Sequence, residues 1–206
     1  MHNAMGRLWL ISAVAATCLG LTGCISLGGG DPPETLLTLS STASAPAGSG
    51  VVSGTDESIG AITILTPETP AKLDVLRVPV NISDTEVAFL QDAFWIEKPA
   101  RLFRRLMGET LRTRGAALVI DTDDSPTRAS RFLRGTLLDL TYDAPSNAVI
   151  MRYEAILVEA DGKVVSRRFE AREDGVPPEA VFVGPALNRV ANSVASEVAN
   201  WVYDTD

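Results

Sequence analysis

The sequence predicts an α+β fold, a two-layer sandwich of mostly antiparallel sheet with two main helices on one face. Three observations carry this. Residues 131–171 read as three strands in meander order, with an Asp-Gly turn between the last two. Pro99–Arg114 repeats apolar residues at spacings of three and four, the period of a helix with one buried face. Pro185–Tyr203 shows a second such stripe and few charges.

In chain order, Thr35–Leu39 (TLLTL) is a candidate short strand. Residues 40–58 are rich in Ser, Ala, Gly and Thr and read as a flexible linker. Gly60–Thr66 is β-branched and alternating, a strand ended by Pro67 and Pro70. Leu73–Ile82 reads as a second strand, with Pro79 marking an edge or bulge. Thr85–Phe94 is a third, running to Trp95 at the mouth of the first helix. There Pro99 sits at the first turn, where its missing N–H costs nothing. Leu102, Phe103, Leu106, Met107, Thr110 and Leu111 form the apolar face of this helix. Arg101, Arg104, Arg105, Glu109 and Arg112 cover the other face, and Gly115 is a natural C-cap.

Ala117–Ile120 reads as a short buried strand, followed by a turn over Asp121–Pro126. In the meander, Arg131–Tyr142 is followed by Ala148–Glu159. There Val149, Met151, Tyr153, Ala155 and Leu157 point inward and Arg152 and Glu154 outward. Ala160-Asp161-Gly162 turns the chain into Lys163–Ala171. In the last helix Leu187, Val190, Val194, Val198, Trp201 and Val202 align. There is no internal repeat.

Composition narrows the function classes. Lys plus Arg is 18 against 26 Asp plus Glu, a net charge of −8, which disfavours nucleic acid as a partner. The single histidine is His2 and the only cysteines are Cys18 and Cys24. A mature chain beginning at Cys24 therefore holds no disulfide, no Cys/His zinc site and no histidine-dependent triad or dyad. Gly28-Gly29-Gly30 lacks the Lys-Ser/Thr of a phosphate-binding loop, and no cofactor motif is present. Asp121, Asp123 and Asp124 lack the spaced acidic frame of a calcium loop and read as a solvated turn. Asn81-Ile82-Ser83 fits a glycosylation sequon. No enzyme is expected.

The N-terminus carries an address. Arg7 precedes an uncharged stretch, Leu8–Leu21, that is shorter than the roughly 20 residues of a membrane span and suits a signal peptide. Leu21-Thr22-Gly23-Cys24 resembles the lipobox of bacterial lipoproteins. That resemblance implies removal of residues 1–23, lipidation of Cys24 and a Gly/Pro tether over 24–34 ahead of a domain over 35–203. Two or three acyl chains there would anchor stably, as one alone would not. Ile25, rather than aspartate, follows the cysteine, which implies the outer membrane over the inner.

Further strings resemble one family. Leu73–Val80 (LDVLRVPV), Ala88–Leu111 (AFLQDAFWIEKPARLFRRLMGETL), Arg167–Ala171 (RRFEA) and Ala186–Val202 (ALNRVANSVASEVANWV) are similar, in that order, to the ABC-type transport auxiliary lipoproteins. The resemblance covers roughly Leu36–Tyr203 apart from the linker, and TLLTL lacks the aromatic residue of some relatives. It implies a periplasmic lipoprotein accessory to MCE-type ABC transporters, which move phospholipids between the inner and outer membranes. Its partners would be an MCE-domain protein and the associated permease and ATPase, with phospholipid itself a further candidate. A regulator or assembly factor for peptidoglycan synthesis or lipopolysaccharide export is the alternative.

Besides Cys24, the candidate site residues are Arg101, Arg104, Arg105 and Trp95. Lysine is confined to Lys72, Lys98 and Lys163, so the basic residues are mostly arginine and crowd one helix. Arginine forms planar, bidentate pairs at interfaces. The arginine face would dock acidic groups of a partner or lipid head groups, or simply balance local acids in solvent. Trp95, with Phe94, would anchor an interface or pack the core at the helix entry.

Overall fold

The computed structural model describes residues 35–48, 61–114, 118–122 and 129–204. Their elements, in order, are β1 (Ile62–Ile64), a 3-10 turn (Ala71–Leu73), β2 (Arg77–Asn81), β3 (Val87–Phe94), α1 (Pro99–Arg112), β4 (Val119–Ile120), β5 (Arg131–Asp143), β6 (Ala148–Val158), β7 (Val164–Asp174) and α2 (Ala180–Asp204). The long strand β5 organises one seven-stranded sheet. β6 runs antiparallel along one side of it, and β7 runs antiparallel to β6. On its other side β1 pairs parallel with the start of β5 and β2 with its end. β4 adds to β1 in parallel, and β3 adds to β2 antiparallel. The long ladders are antiparallel and the parallel ones short, so the sheet is mixed but mostly antiparallel, as the sequence predicts.

Alternation fixes which face is buried. Val149, Met151, Tyr153, Ala155 and Leu157 of β6 are all buried, with partly exposed Arg152, Glu154, Ile156 and Val158 between them. Tyr153 and Phe169 are directly opposed across β6 and β7, so they share a face. Phe103 of α1 meets Tyr153 edge-on at 5.2 Å, and Trp201 of α2 meets Phe169 at 5.7 Å. One face of the sheet thus carries both helices and the other is open. The Asp-Gly hairpin forms as expected: Gly162 takes φ 87°, and the Asp161 carboxylate accepts from the Lys163 N–H at 2.8 Å. Gly135 of β5 is required by a close approach: a Cβ there would lie 2.0 Å from the Glu154 carbonyl oxygen and 2.8 Å from the Tyr153 hydroxyl. Burial raises the pKa of that Tyr153 phenol.

α1 forms as predicted, with Pro99 in its first turn and all six residues of its apolar face buried. Gly115 lies outside the described residues. α2 begins at Ala180, five residues before its expected start, and contains Pro185. A proline there removes the bond its N–H would have made to the carbonyl of residue 181, in the first turns of the helix where Val181 is exposed. The second strand is shorter than predicted because Leu73 belongs to the 3-10 turn.

TLLTL forms only an isolated parallel bridge, Leu37 to Trp95, and not a strand. Its Leu37 packs so closely on Gly184 of α2 that a Cβ there would come 2.7 Å from Leu37 Cδ2. Residues 40–45, read as the start of a linker, are tied to both helices. Ser40 and Thr42 N–H groups donate to the Asn188 and Asn192 side chains, and the Ala45 N–H donates to Glu109, each at 2.8 Å.

One buried charge pair closes the structure. Arg131, at the start of β5, pairs with Glu159 at 2.7 Å and donates to the Val202 carbonyl at 2.9 Å. It thereby satisfies an orphan carbonyl in the last turn of α2, where positive charge is favoured.

Candidate functional site

The arginines of α1 are largely absorbed by the chain itself. Arg105 reaches Glu97 at 2.7 Å and Arg101 reaches the same carboxylate group at 3.4 Å. Arg112 pairs with Asp121 at 2.6 Å, an approach that Gly108 permits, since a Cβ there would sit 2.6 Å from the Asp121 carboxylate. Arg114, just past the helix, donates to the Asn200 side chain of α2. Arg104 differs from its expected place on the exposed face: it is only 7% exposed. A long arginine stem can be buried on apolar surface while its head stays polar, and Ala100, Phe103, Met107 and Gly108, next to it on the helix, are all buried. Arg101 and Arg105 therefore remain as the exposed part of the arginine cluster. They share one acid, which leaves one positive charge in excess.

Trp95 is 1% exposed and belongs to the core. Its backbone N–H donates to the Leu76 carbonyl at 2.7 Å, while the Leu37 backbone bonds on either side of it, to the Phe94 carbonyl at 2.7 Å and from the Ile96 N–H at 2.9 Å. Trp95 so fixes a three-chain ribbon at the end of the sheet. Ile96, the next residue, is 60% exposed.

Around that ribbon lies a surface the sequence did not disclose. Arg77 faces Phe94 across the β2–β3 ladder, and its guanidinium sits 4.8 Å from the Phe89 ring centre and 5.8 Å from that of Phe94. Phe89 and Phe94 are five residues apart and would point to opposite faces of a regular strand. A bulge brings them together: two residues of β2 span five of β3, and Asp92 takes φ 54°. The bridge of Leu37 to Trp95 places Leu36 beside Phe94 on the same open face. Leu36, Phe89 and Ile96 are exposed and Phe94 is half-buried, so apolar side chains are gathered at the end of the face that carries Arg77. Alternation alone could not find this; only the bulge creates it.

The remainder of the open face is charged. Asp139 of β5 holds Lys72 at 2.5 Å and Arg152 at 3.0 Å, and Arg152 reaches on to Glu170 of β7 at 2.6 Å. The hydrogen bond to Glu170 raises the Arg152 pKa. The charged edge strand β7 also discourages unwanted strand pairing. Among the described residues no group of three or more His, Cys, Asp or Glu could hold a metal ion. No helix among them is long and apolar enough to cross a membrane. Asp123, Asp124 and Cys24 lie outside the described residues. Asn81 is used structurally, its amide donating to Thr141 at 3.3 Å.

Fold and surface together define a small α+β module with a charged helix face and an apolar end to its open sheet face. The chain belongs to the ABC-type transport auxiliary lipoprotein component family, whose model it matches over residues 38–199. It is thus a lipoprotein accessory component of an ABC-type transport system, associated with the cell envelope and non-enzymatic. Among solved structures, it resembles protein XCC0632 from Xanthomonas campestris with a TM-score of 0.67 at 17% identity, over 82% of this chain and 94% of that one. A second, uncharacterized protein gives a TM-score of 0.60 at 14% identity, over 69% of this chain and 92% of that one. Both likenesses are of fold alone. No curated protein matches.

Proposed function

We propose that the chain is the accessory lipoprotein of an MCE-type ABC transporter, which carries phospholipid between the inner and outer membranes. The family match over 38–199, in a chain whose residues 21–24 read Leu-Thr-Gly-Cys, carries this reading. Residues 1–23 act as the signal peptide, Cys24 takes the acyl chains, and 24–34 tether the domain over 35–203. The anchor lies in the outer membrane, on its periplasmic face. The domain works by docking: ATP hydrolysis belongs to a separate subunit and the lipid path to the MCE protein. Arg101 and Arg105 contribute at an acidic partner surface, helped by their one unmatched positive charge. Arg104 and Trp95, both buried, shape the helix that presents them.

Gentle detergent extraction followed by affinity purification tests the reading. An MCE subunit with its permease and ATPase is expected to accompany the lipoprotein, and charge reversal at Arg101 and Arg105 is expected to weaken that association. Acylated protein that brings down no MCE subunit overturns it. Peptidoglycan-synthesis or lipopolysaccharide-export proteins in its place would establish the alternative.

A further inference from the structure

We propose that the apolar end of the open sheet face, formed by Leu36, Phe89, Phe94 and Ile96 around Arg77, rests on the phospholipid surface in which Cys24 is anchored. The inference rests on the lipid anchor proposed above and adds an orientation to it.

Three observations carry it. The first is position. Leu36 stands 12 residues after Cys24, a span of at most ~40 Å when fully extended. Leu36 is itself part of the patch, so the chain leading to the anchor enters the fold from within this surface. A short tether holds this end, before any other, at high effective concentration near the bilayer.

The second is chemistry. Aliphatic and aromatic side chains at an exposed edge suit the boundary between head groups and acyl chains. Arg77 stands among them with its guanidinium over two rings, 4.8 and 5.8 Å from their centres. A guanidinium is placed there to bond a lipid phosphate in bidentate fashion while its stem stays on apolar surface.

The third is contrast within the same face. The far end of the open face also exposes apolar residues, Phe132 and Val164. It lies roughly 20 Å along β5 from the Lys72–Asp139–Arg152–Glu170 band by the rise of a strand. The described chain does not begin there but at Thr35, next to Leu36. The two ends are alike in apolarity and differ in their connection to the anchor.

The test uses the full mature, acylated chain in vesicles of phosphatidylethanolamine and phosphatidylglycerol. With Cys24 acylated and Cys18 removed with the signal peptide, an introduced cysteine is the sole free thiol. Phe89→Cys, Ile96→Cys and Val164→Cys, each at an exposed position, are labelled with an environment-sensitive fluorophore. Labels at 89 and 96 are expected to shift to shorter wavelength and to be quenched by nitroxide on the acyl chains. The label at 164 is expected to do neither. If intact mass shows an acylated Cys24 but the labels at 89 and 96 behave like that at 164, the inference is overturned and the anchor stands. A chain without acyl groups overturns the anchor, and this inference with it.

Discussion

The outer surface of α1 and the apolar end of the open sheet face are both exposed, yet their groups are differently satisfied. On α1, Arg101 and Arg105 already bond Glu97, and Arg112 already bonds Asp121. At the sheet end, Leu36, Phe89 and Ile96 leave apolar surface in water. A charge already paired within its own chain gains little by meeting a partner, because the partner's charges must displace existing pairs and lose hydration, so on α1 only the unmatched charge of Arg101 and Arg105 is left to contribute. Uncovered apolar area gains on every contact that removes it from water. The richest cluster of charges is therefore not automatically the strongest docking surface.

Adjacent residues sharpen the comparison most. Trp95→Ala is expected to destabilise the fold by ~3–5 kcal/mol, since a large buried side chain is removed from the core. Ile96→Ala is expected to change stability by no more than ~0.5 kcal/mol. Urea unfolding of the two variants would read the difference, and comparable losses would break the distinction between ribbon core and open face.

Ion pairs give the next largest contrast. Arg131→Ala removes a buried partner from Glu159 and a donor from the Val202 carbonyl, and is expected to cost ~3 kcal/mol. Arg105→Ala, at an exposed pair, is expected to cost no more than ~1 kcal/mol. Equal midpoints for both variants in the same unfolding series would show that the α1 pairs are structural after all.

The smallest effect concerns acid. The hydrogen bond from Arg189 holds the Glu173 carboxyl below its ordinary pKa, an effect only partly opposed by burial. A carboxylate with a lowered folded pKa contributes fully above its unfolded pKa. That contribution is lost as pH falls through the lowered value. The link between β7 and α2 should weaken on that acid side, by no more than ~1 kcal/mol for so exposed a pair. Glu173→Gln is expected to flatten the stability profile there, and an unchanged profile would remove the pair from the account.

Much of this was legible in residue order. The meander could be read because alternation on β6 and the Asp161-Gly162 turn act locally, and α1 because its apolar period is regular. The parallel contacts of β1 and β2 with β5 were not legible, since nothing near Ile62 or Val80 specifies a partner strand far along the chain. The start of α2 was misplaced because Pro185 reads as a first-turn residue, while the burial of Val183 and the packing of Leu37 on Gly184 upstream of it are tertiary facts. The burial of Arg104 is a tertiary outcome that the helical period does not reveal, and the Arg77–Phe89–Phe94 cluster depends on the bulge at Asp92. Membership of the transport auxiliary family was legible from four strings that are mostly core pattern, because core pattern is what a shared fold retains.

Both proposals depend on one covalent fact. The intact mass of the mature protein, isolated from membranes of cells that express the full chain, tests it directly. The account predicts a chain that begins at Cys24 and carries two or three acyl groups on that residue. A mature chain that starts elsewhere, or starts at Cys24 without lipid, would contradict it.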